Sequence, residues 1–277
     1  MKTAPDTEPA GALDLAPEHK RGFPLKSPLL AASGCWGFAN EYANLIEMSL
    51  LGALITNPIS RRPRRPAGGA HARSVAGGVA LHTGLPNPGL SVALRRFAPK
   101  WRRMPCAVIV HLALHDAGEA RKCVERLEDV ENVLAIELGF RHDEDARAAA
   151  ATVATAAQGL LPVVVQVPFS RTAEFSALAE QAGAQAVSVS APPRAALTAA
   201  EGWFEGRMYG GGLCARTVQV VRELRRETDL PIIAAGGVHS AEQINALLSA
   251  GARAVQLESV VWIDAPNVNA MLQSWKH

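Results

Sequence analysis

Short apolar runs without polar alternation recur along this chain, at residues 28–33, 53–59, 107–114, 133–140, 162–168, 186–190, 231–235 and 254–262. A run that is apolar at nearly every position predicts a strand buried on both faces, as in a parallel sheet. Between the runs, apolar residues fall on one helical face. Helices are predicted at 40–51, 91–103, 116–129, 143–158, 172–181, 213–228 and 267–275, and between Ser240 and Gly251. Asp116 is a candidate N-cap, and Gly183 closes the 172–181 helix. Eight strands alternating with eight helices predict an α/β protein, a single (β/α)8 TIM barrel with right-handed crossovers and its helices outside. An open doubly wound sheet is the structural alternative. No short repeat or low-complexity block competes with this reading.

Two long stretches without a regular pattern, 60–89 and 191–212, follow strands two and six. In a barrel both lie at the C-terminal face, where active sites are built, and loops of this length are typically lids or binding loops. The stretch 230–262 has the form strand, Gly turn, helix, strand. Gly236 and Gly237 end its first strand, and Ser240 stands three residues before Gln243, a capping-box spacing. Ile244, Leu247 and Leu248 share a face, and Gly251 stops the helix. Near the end of a barrel such a unit suits a phosphate: glycines allow close backbone approach, and helix N–H groups face the anion. The alternative is a turn that only joins strand to helix.

The 277 residues suit one large α/β domain or two small ones, and an apolar fraction of 48% supplies a sizeable core. The Pro-, Ala- and acid-rich residues 1–12 predict a loose tail, with the barrel over 13–277. A net charge of +2 gives no case for nucleic acid or an acidic membrane surface. No apolar run approaches the roughly 20 residues of a membrane span, and no basic-then-apolar leader is present, so the expectation is a cytoplasmic protein. Cys35, Cys106, Cys123 and Cys214 form no Cys-x-x-Cys pair, and the eight His form no His-x-x-x-His pair on a predicted helix. No metal site is predicted, and the thiols are read as reduced.

Several motifs together resemble the dihydroorotate dehydrogenase family, especially its soluble class 1 enzymes. They are Ala32-Ser33-Gly34 with Gly37-Phe38 and Glu41-Tyr42, Leu51-Gly52-Ala53 with Ile55-Thr56, Gly84-Leu85-Pro86-Asn87-Pro88-Gly89, Gly211-Gly212-Leu213, Gly236-Gly237 and Gly251-Ala252. Their order and spacing cover roughly residues 22–262. The resemblance implies a flavoprotein with FMN across the barrel mouth, a substrate that gives it a hydride, and a loop base that removes a proton; the flavin would carry the redox chemistry. It implies that Ala32, Ser33, Gly34, Asn57, Gln166, Gly212, Cys214, Gly236, Gly237, Glu258 and Ser259 line the cofactor site. Gly84, Leu85 and Asn87 would form the substrate loop, where Asn87 is read first as fixing the turn.

The departures from the family pattern fall on the chemistry. Thr-Lys becomes Thr56-Asn57, the Asn that opens the substrate loop becomes Leu81, and the Asn ending strand four becomes Gly139. The following loop, 141–143, lacks the Cys or Ser base. The Lys of strand five is Gln166, Ser-Gly before the sixth helix is Cys214-Ala215, and Gly-Thr beside the phosphate is Glu258-Ser259. A carboxylate about 5 Å from a phosphate, at an effective dielectric of about 20, costs on the order of 3 kcal/mol per unit charge. One helix N-terminus returns only roughly 0.3–1 kcal/mol, so repulsion wins unless Glu258 is protonated, turned away or paired with Arg. His142, in the shortened loop, and Cys35, after strand one, are the weak catalytic candidates; a solvated loop His and an inert buried thiol are the plainer readings. Cys214 opens a helix, where a thiolate is favoured. Arg61, Arg62, Arg64, Arg65 and Arg73 form either a solvated face or an anion- or partner-binding lid. Trp203, Phe204 and Tyr209 are read as loop anchors that could also cap a ligand.

Three functions follow. The first is a divergent FMN oxidoreductase acting on a small cyclic or carboxylated substrate such as dihydroorotate, in pyrimidine metabolism. The second is a barrel that has lost flavin and serves as a non-catalytic subunit or regulator. The third is an enzyme for another small anionic molecule. A homodimer or a partner subunit is compatible with each.

Overall fold

A computed structural model describes residues 13–114, 116–199 and 202–275. Eight strands close into a parallel barrel: β1 (Leu29–Ala31), β2 (Ala53–Ile55), β3 (Ala107–Leu112), β4 (Val133–Gly139), β5 (Val163–Pro168), β6 (Ala186–Ala191), β7 (Ile232–Ala235) and β8 (Ala254–Leu257). Each pairs with the next, and β8 closes on β1 through Val255↔Leu29 and Leu257↔Ala31. The (β/α)8 fold is the one the apolar periodicity predicts, and the open-sheet alternative is excluded by that closure. Helices α1 (Leu90–Trp101), α2 (Ala117–Val124), α3 (Ala146–Ala157), α4 (Thr172–Gln181), α5 (Cys214–Leu224) and α6 (Ala241–Ser249) follow β2 to β7. The expected caps form: Asp116 accepts from Glu119 N–H at 2.8 Å, and Ser240 from Gln243 N–H. The loose tail expected at 1–12 lies outside the described residues.

Strand side chains alternate between barrel interior and helix layer. The lower interior is apolar: Leu30, Ile55, Ile109, Ala135, Val164, Ala186, Ile233 and Ala254 form one cluster. Two residues further along, the same rows carry His111, Glu137, Gln166, Ser188 and Gln256. The interior thus turns polar toward its C-terminal end. The N-terminal end is plugged by a small hairpin, Leu13–Asp14 against Pro24–Leu25, which the sequence reading did not anticipate. Asp14 holds it by accepting from Ala16 and Phe23 N–H at 2.8 and 2.7 Å. Leu15, Phe23 and Leu25 complete the lower cluster and are buried.

Four expectations are corrected. No α-helix spans 40–51; turns lead only to a 3-10 turn at Met48–Leu50. The Glu41 carboxylate accepts from Phe38 and Ala39 N–H at 2.9 and 2.7 Å, which satisfies the loop locally in place of a helix. Run two ends as a strand at Ile55. Run eight ends at Leu257 and continues as the short helix Val260–Ile263, since Ser259 is already helical in backbone angle. Finally, the two stretches without a regular pattern contain a shared four-stranded antiparallel sheet, ordered Arg194–Ala199, Gly202–Tyr209, Gly78–Leu81 and Ala72–Val75. Arg207↔Leu81 and Tyr209↔Val79 join the two loops. Their exposed faces dilute the apolar pattern that marks a buried strand.

The plug predicts that Phe23→Ala, which empties a fully buried site, lowers unfolding free energy by about 3–5 kcal/mol. Urea denaturation measures this, and a loss under about 1 kcal/mol would show the hairpin to be dispensable.

Candidate functional site at the barrel mouth

Four buried polar side chains meet inside the upper barrel. His111 on β3 pairs through Nδ1 with Glu137 Oε2 on β4 at 2.6 Å. Gln256 on β8 donates to Glu137 Oε1 at 3.2 Å and to Ser188 Oγ on β6 at 3.0 Å. Glu137 and Gln256 have no solvent exposure, and His111 has 4%. A buried carboxylate is tolerated only with such partners. Donation from Nδ1 leaves the lone pair of a neutral ring on Nε2. The ring lies over Gly139: a Cβ there would sit 2.7 Å from His111 Cε1 and closer still to Nε2. The glycine at the family's Asn position is therefore a steric requirement of His111.

Above this ring is a cavity of about 200 Å³. At about 30 Å³ per water, that space matches roughly seven waters, below the roughly 300 Å³ at which drug-sized pockets begin. Its walls include Ser33, Gly34, Leu85, His111, Gln166 and Arg207. Arg64 and Arg141 also reach it, but Arg141 is paired with Asp143. Arg207 donates to the Pro192 carbonyl at 2.9 Å and makes no ion pair among the described residues. Burial holds its pKa below the usual arginine value. The mouth thus carries a guanidinium with no ion pair among the described residues, with Asp143 acting on it and Glu144 on the same wall, and its fork suits a carboxylate.

The second feature lies where Gly210 and the Leu213–Cys214 backbone approach Gly237. A Cβ on Gly237 would lie 2.9 Å from Gly210 O and nearer still to Cys214 N. The turn is as tight as a phosphate cradle requires, but a carboxyl is already present. Glu258 is 2% exposed, and its Oε2 has no partner among the described residues. Burial raises its pKa to about 8, partly offset by the Gly237 bond. His239 lies over Gly211 and is 3.3 Å from Ser259 Oγ; burial lowers its pKa, against Asp264. These residues do not fit a phosphate dianion. The anion would face a buried carboxyl, and among the described residues no Lys or Arg is paired with it.

The other residues singled out from sequence are distributed as follows. Ser33 and Gly34 reach the cavity, with Ser33 Oγ donating to Thr56 O at 2.8 Å. Ala32 is buried at the end of β1, donating to Leu257 O. Asn57 is engaged with the loop, its Oδ1 accepting from Gly37 N–H at 3.3 Å. Leu85 faces the cavity, and Gly84 packs on Ala67. Asn87 accepts from Gly89 N–H at 2.9 Å and donates to Leu85 O at 3.0 Å, so it shapes the loop from within. His142 stands apart in a half-exposed loop, 3.7 Å from Asp143. Cys35 is buried, and burial, then Glu258, pushes its thiol well up. Burial raises the Cys214 thiol too, opposite to the effect expected at a helix start. Among the Arg run, Arg61 reaches Glu119 at 3.9 Å, while Arg62, Arg64 and Arg65 are exposed. Trp203 is exposed, Phe204 is buried, and Tyr209 packs on Trp262. No cluster of three metal-ligating side chains occurs among the described residues. No described helix is long and apolar enough to cross a membrane.

His111, Glu137, Ser188 and Gln256 were not singled out from sequence. The available signal was a polar residue inside each of four apolar runs.

A parallel barrel with glycine turns after β6 and β7 and a polar interior beneath its mouth defines a class of (β/α)8 enzymes that bind ligands at the C-terminal face. The sequence model of dihydroorotate dehydrogenase matches residues 19–274, and the chain belongs to that family of oxidoreductases. It is 27% identical over 302 aligned residues to the dihydroorotate dehydrogenase B (NAD(+)) catalytic subunit of Bacillus pumilus, covering 92% of this chain and 95% of that one. It is 30% identical to the subunit of the same name from Desulforudis audaxviator, covering 84% and 82%. A structure of dihydroorotate dehydrogenase from Eimeria tenella in complex with ferulenol superposes with a TM-score of 0.77 at 14% identity, covering 95% of this chain and 83% of the other.

Glu258 makes a pH prediction. Its folded pKa is raised, so the folded state holds the proton more tightly than the unfolded chain. Its contribution is full below the ordinary carboxylate pKa and is lost as pH rises toward 8. Relative to Glu258→Gln, the wild type should lose on the order of 4 kcal/mol of stability between pH 4.5 and 8, at about 1.4 kcal/mol per pKa unit. Parallel pH dependences of the two proteins in chemical denaturation would mean that Glu258 is not buried as described.

Proposed function

We propose that this protein binds a small organic anion at its barrel mouth and does not hold FMN in the manner its family implies. One observation carries the reading: a buried glutamate, Glu258, with its Oε2 unpartnered among the described residues, occupies the position where the family's phosphate site has a glycine. That carboxyl is neutral below about pH 8 and negative above it, and in neither state does it supply the positive charge that favours a phosphate. The small cavity and the guanidinium of Arg207 favour a compact carboxylate over a flavin. Four buried, unbridged thiols support placing the protein in the cytoplasm.

A second reading is a divergent FMN oxidoreductase of dihydroorotate or a related carboxylate, working in pyrimidine metabolism with a partner subunit. The relatives named as catalytic subunits favour it, as does the retained glycine cradle. A non-catalytic barrel subunit is the remaining case, and catalysis separates it from the first reading.

Flavin titration of the purified protein separates these. The first reading expects a colourless preparation that does not bind added FMN, while Glu258→Gly with Ser259→Thr gains at least about 10-fold in FMN affinity, about 1.4 kcal/mol. A yellow wild type would support the second reading, and no gain in the double variant would place the phosphate elsewhere. In calorimetric titration with pyruvate, Arg207→Gln should weaken binding at least about 10-fold, as expected when a charged hydrogen-bond partner is removed. Equal affinity would remove Arg207 from the site.

A further inference from the structure

The geometry points to His111 as a proton-transfer catalyst for a small enolisable 2-oxo acid, in a reaction without net oxidation, with Glu137 as its positioning residue. This rests on the anion-binding reading above and adds a reaction to it. It places the base on β3 of the barrel wall, not in the loop after β4.

Three observations converge. First, the imidazole is oriented from one side only. Nδ1 is held by Glu137, Glu137 is held by Gln256, and Gln256 bonds to Ser188, so the ring is tied to three other strands. Carboxylate support of this kind fixes the tautomer and stabilises the imidazolium formed when Nε2 takes a proton. Second, Nε2 has no hydrogen-bond partner among the described residues, and it projects over Gly139, a residue of the cavity wall. Only glycine leaves room for the ring in that place. Third, the same cavity presents Arg207, which has no ion-pair partner among the described residues. A guanidinium fork suits a 2-oxo acid because one carboxylate oxygen and the neighbouring keto oxygen can be taken together. Charge that develops on the keto oxygen then meets a fixed positive group. Gly139 makes the room the ring needs, and His111 itself lines the cavity that also holds Arg207.

The step balances without a redox partner. The C3–H bond breaks and its proton moves to Nε2. The electron pair forms the C2=C3 double bond, and the C2=O pair moves onto oxygen as an enolate. Return of a proton from Nε2 to C3 restores the keto acid. In D2O the Nε2 proton exchanges with solvent, and C3 acquires deuterium.

The full-length protein is incubated with pyruvate or 2-oxobutyrate in D2O, and loss of the C3 proton signal is followed by NMR while affinity is measured by calorimetry. Wild type should exchange C3 above the buffer rate. His111→Asn, close in size, should lose at least about 100-fold of the protein-dependent rate, as for removal of a positioned base, with pyruvate affinity unchanged. Added imidazole should restore exchange to His111→Ala, and Glu137→Gln should lower kcat for exchange with KM unchanged. Binding without exchange in the wild type, or His111→Asn as active as wild type, overturns the role of His111 and leaves the anion reading in place. Absence of binding overturns both.

Discussion

The Glu137 carboxylate is enclosed by the barrel, with no solvent to stabilise it. Left unpaired there it would cost several kcal/mol, so its surroundings are not free to vary. Its two oxygens are taken by His111 and Gln256, and Gln256 reaches across to Ser188. One buried charge thereby couples β3, β4, β6 and β8. It also divides the interior. Below it, apolar side chains and the N-terminal hairpin fill the barrel; above it lie the mouth and the open nitrogen of His111.

This constraint gives the departures from the family pattern a common physical form. Where the family ends strand four with Asn, this chain has Gly139, and the vacated volume holds the His111 ring. Where the family surrounds a phosphate with small residues, this chain has the buried Glu258 carboxyl and the His239 ring over Gly211. In both places one of the chain's own side chains fills the local space: the His111 ring over Gly139 and the buried Glu258 carboxyl near the glycine turn. The changes are coupled substitutions that keep the interior packed, as a dense protein interior demands. Arg207 is different, because it opens a charged function toward the cavity instead of closing one.

Much of the fold was legible in the sequence. Strands buried on both faces read as uninterrupted apolar runs, and local caps such as Asp116 and Ser240 form within a few residues of their partners. The eighth run misled where Ser259 turns helical, because an apolar run does not distinguish a strand from one buried helical turn. The helix expected at 40–51 failed because the Glu41 carboxylate offered the preceding amides a closer partner. The sheet over the mouth was hidden because Arg207↔Leu81 joins segments far apart in the chain.

At the site, the sequence by itself determined the barrel and the glycine turns, because each depends on residue type at a local spacing. Only the tertiary structure decided which side chains meet there. Polar residues in four separate runs meet only once the strands close, and neither the opening of Nε2 over Gly139 nor the burial of Glu258 near the glycine turn follows from spacing along the chain. Whether a lone polar residue in an apolar run is isolated or paired is settled by which strands lie across the barrel from it.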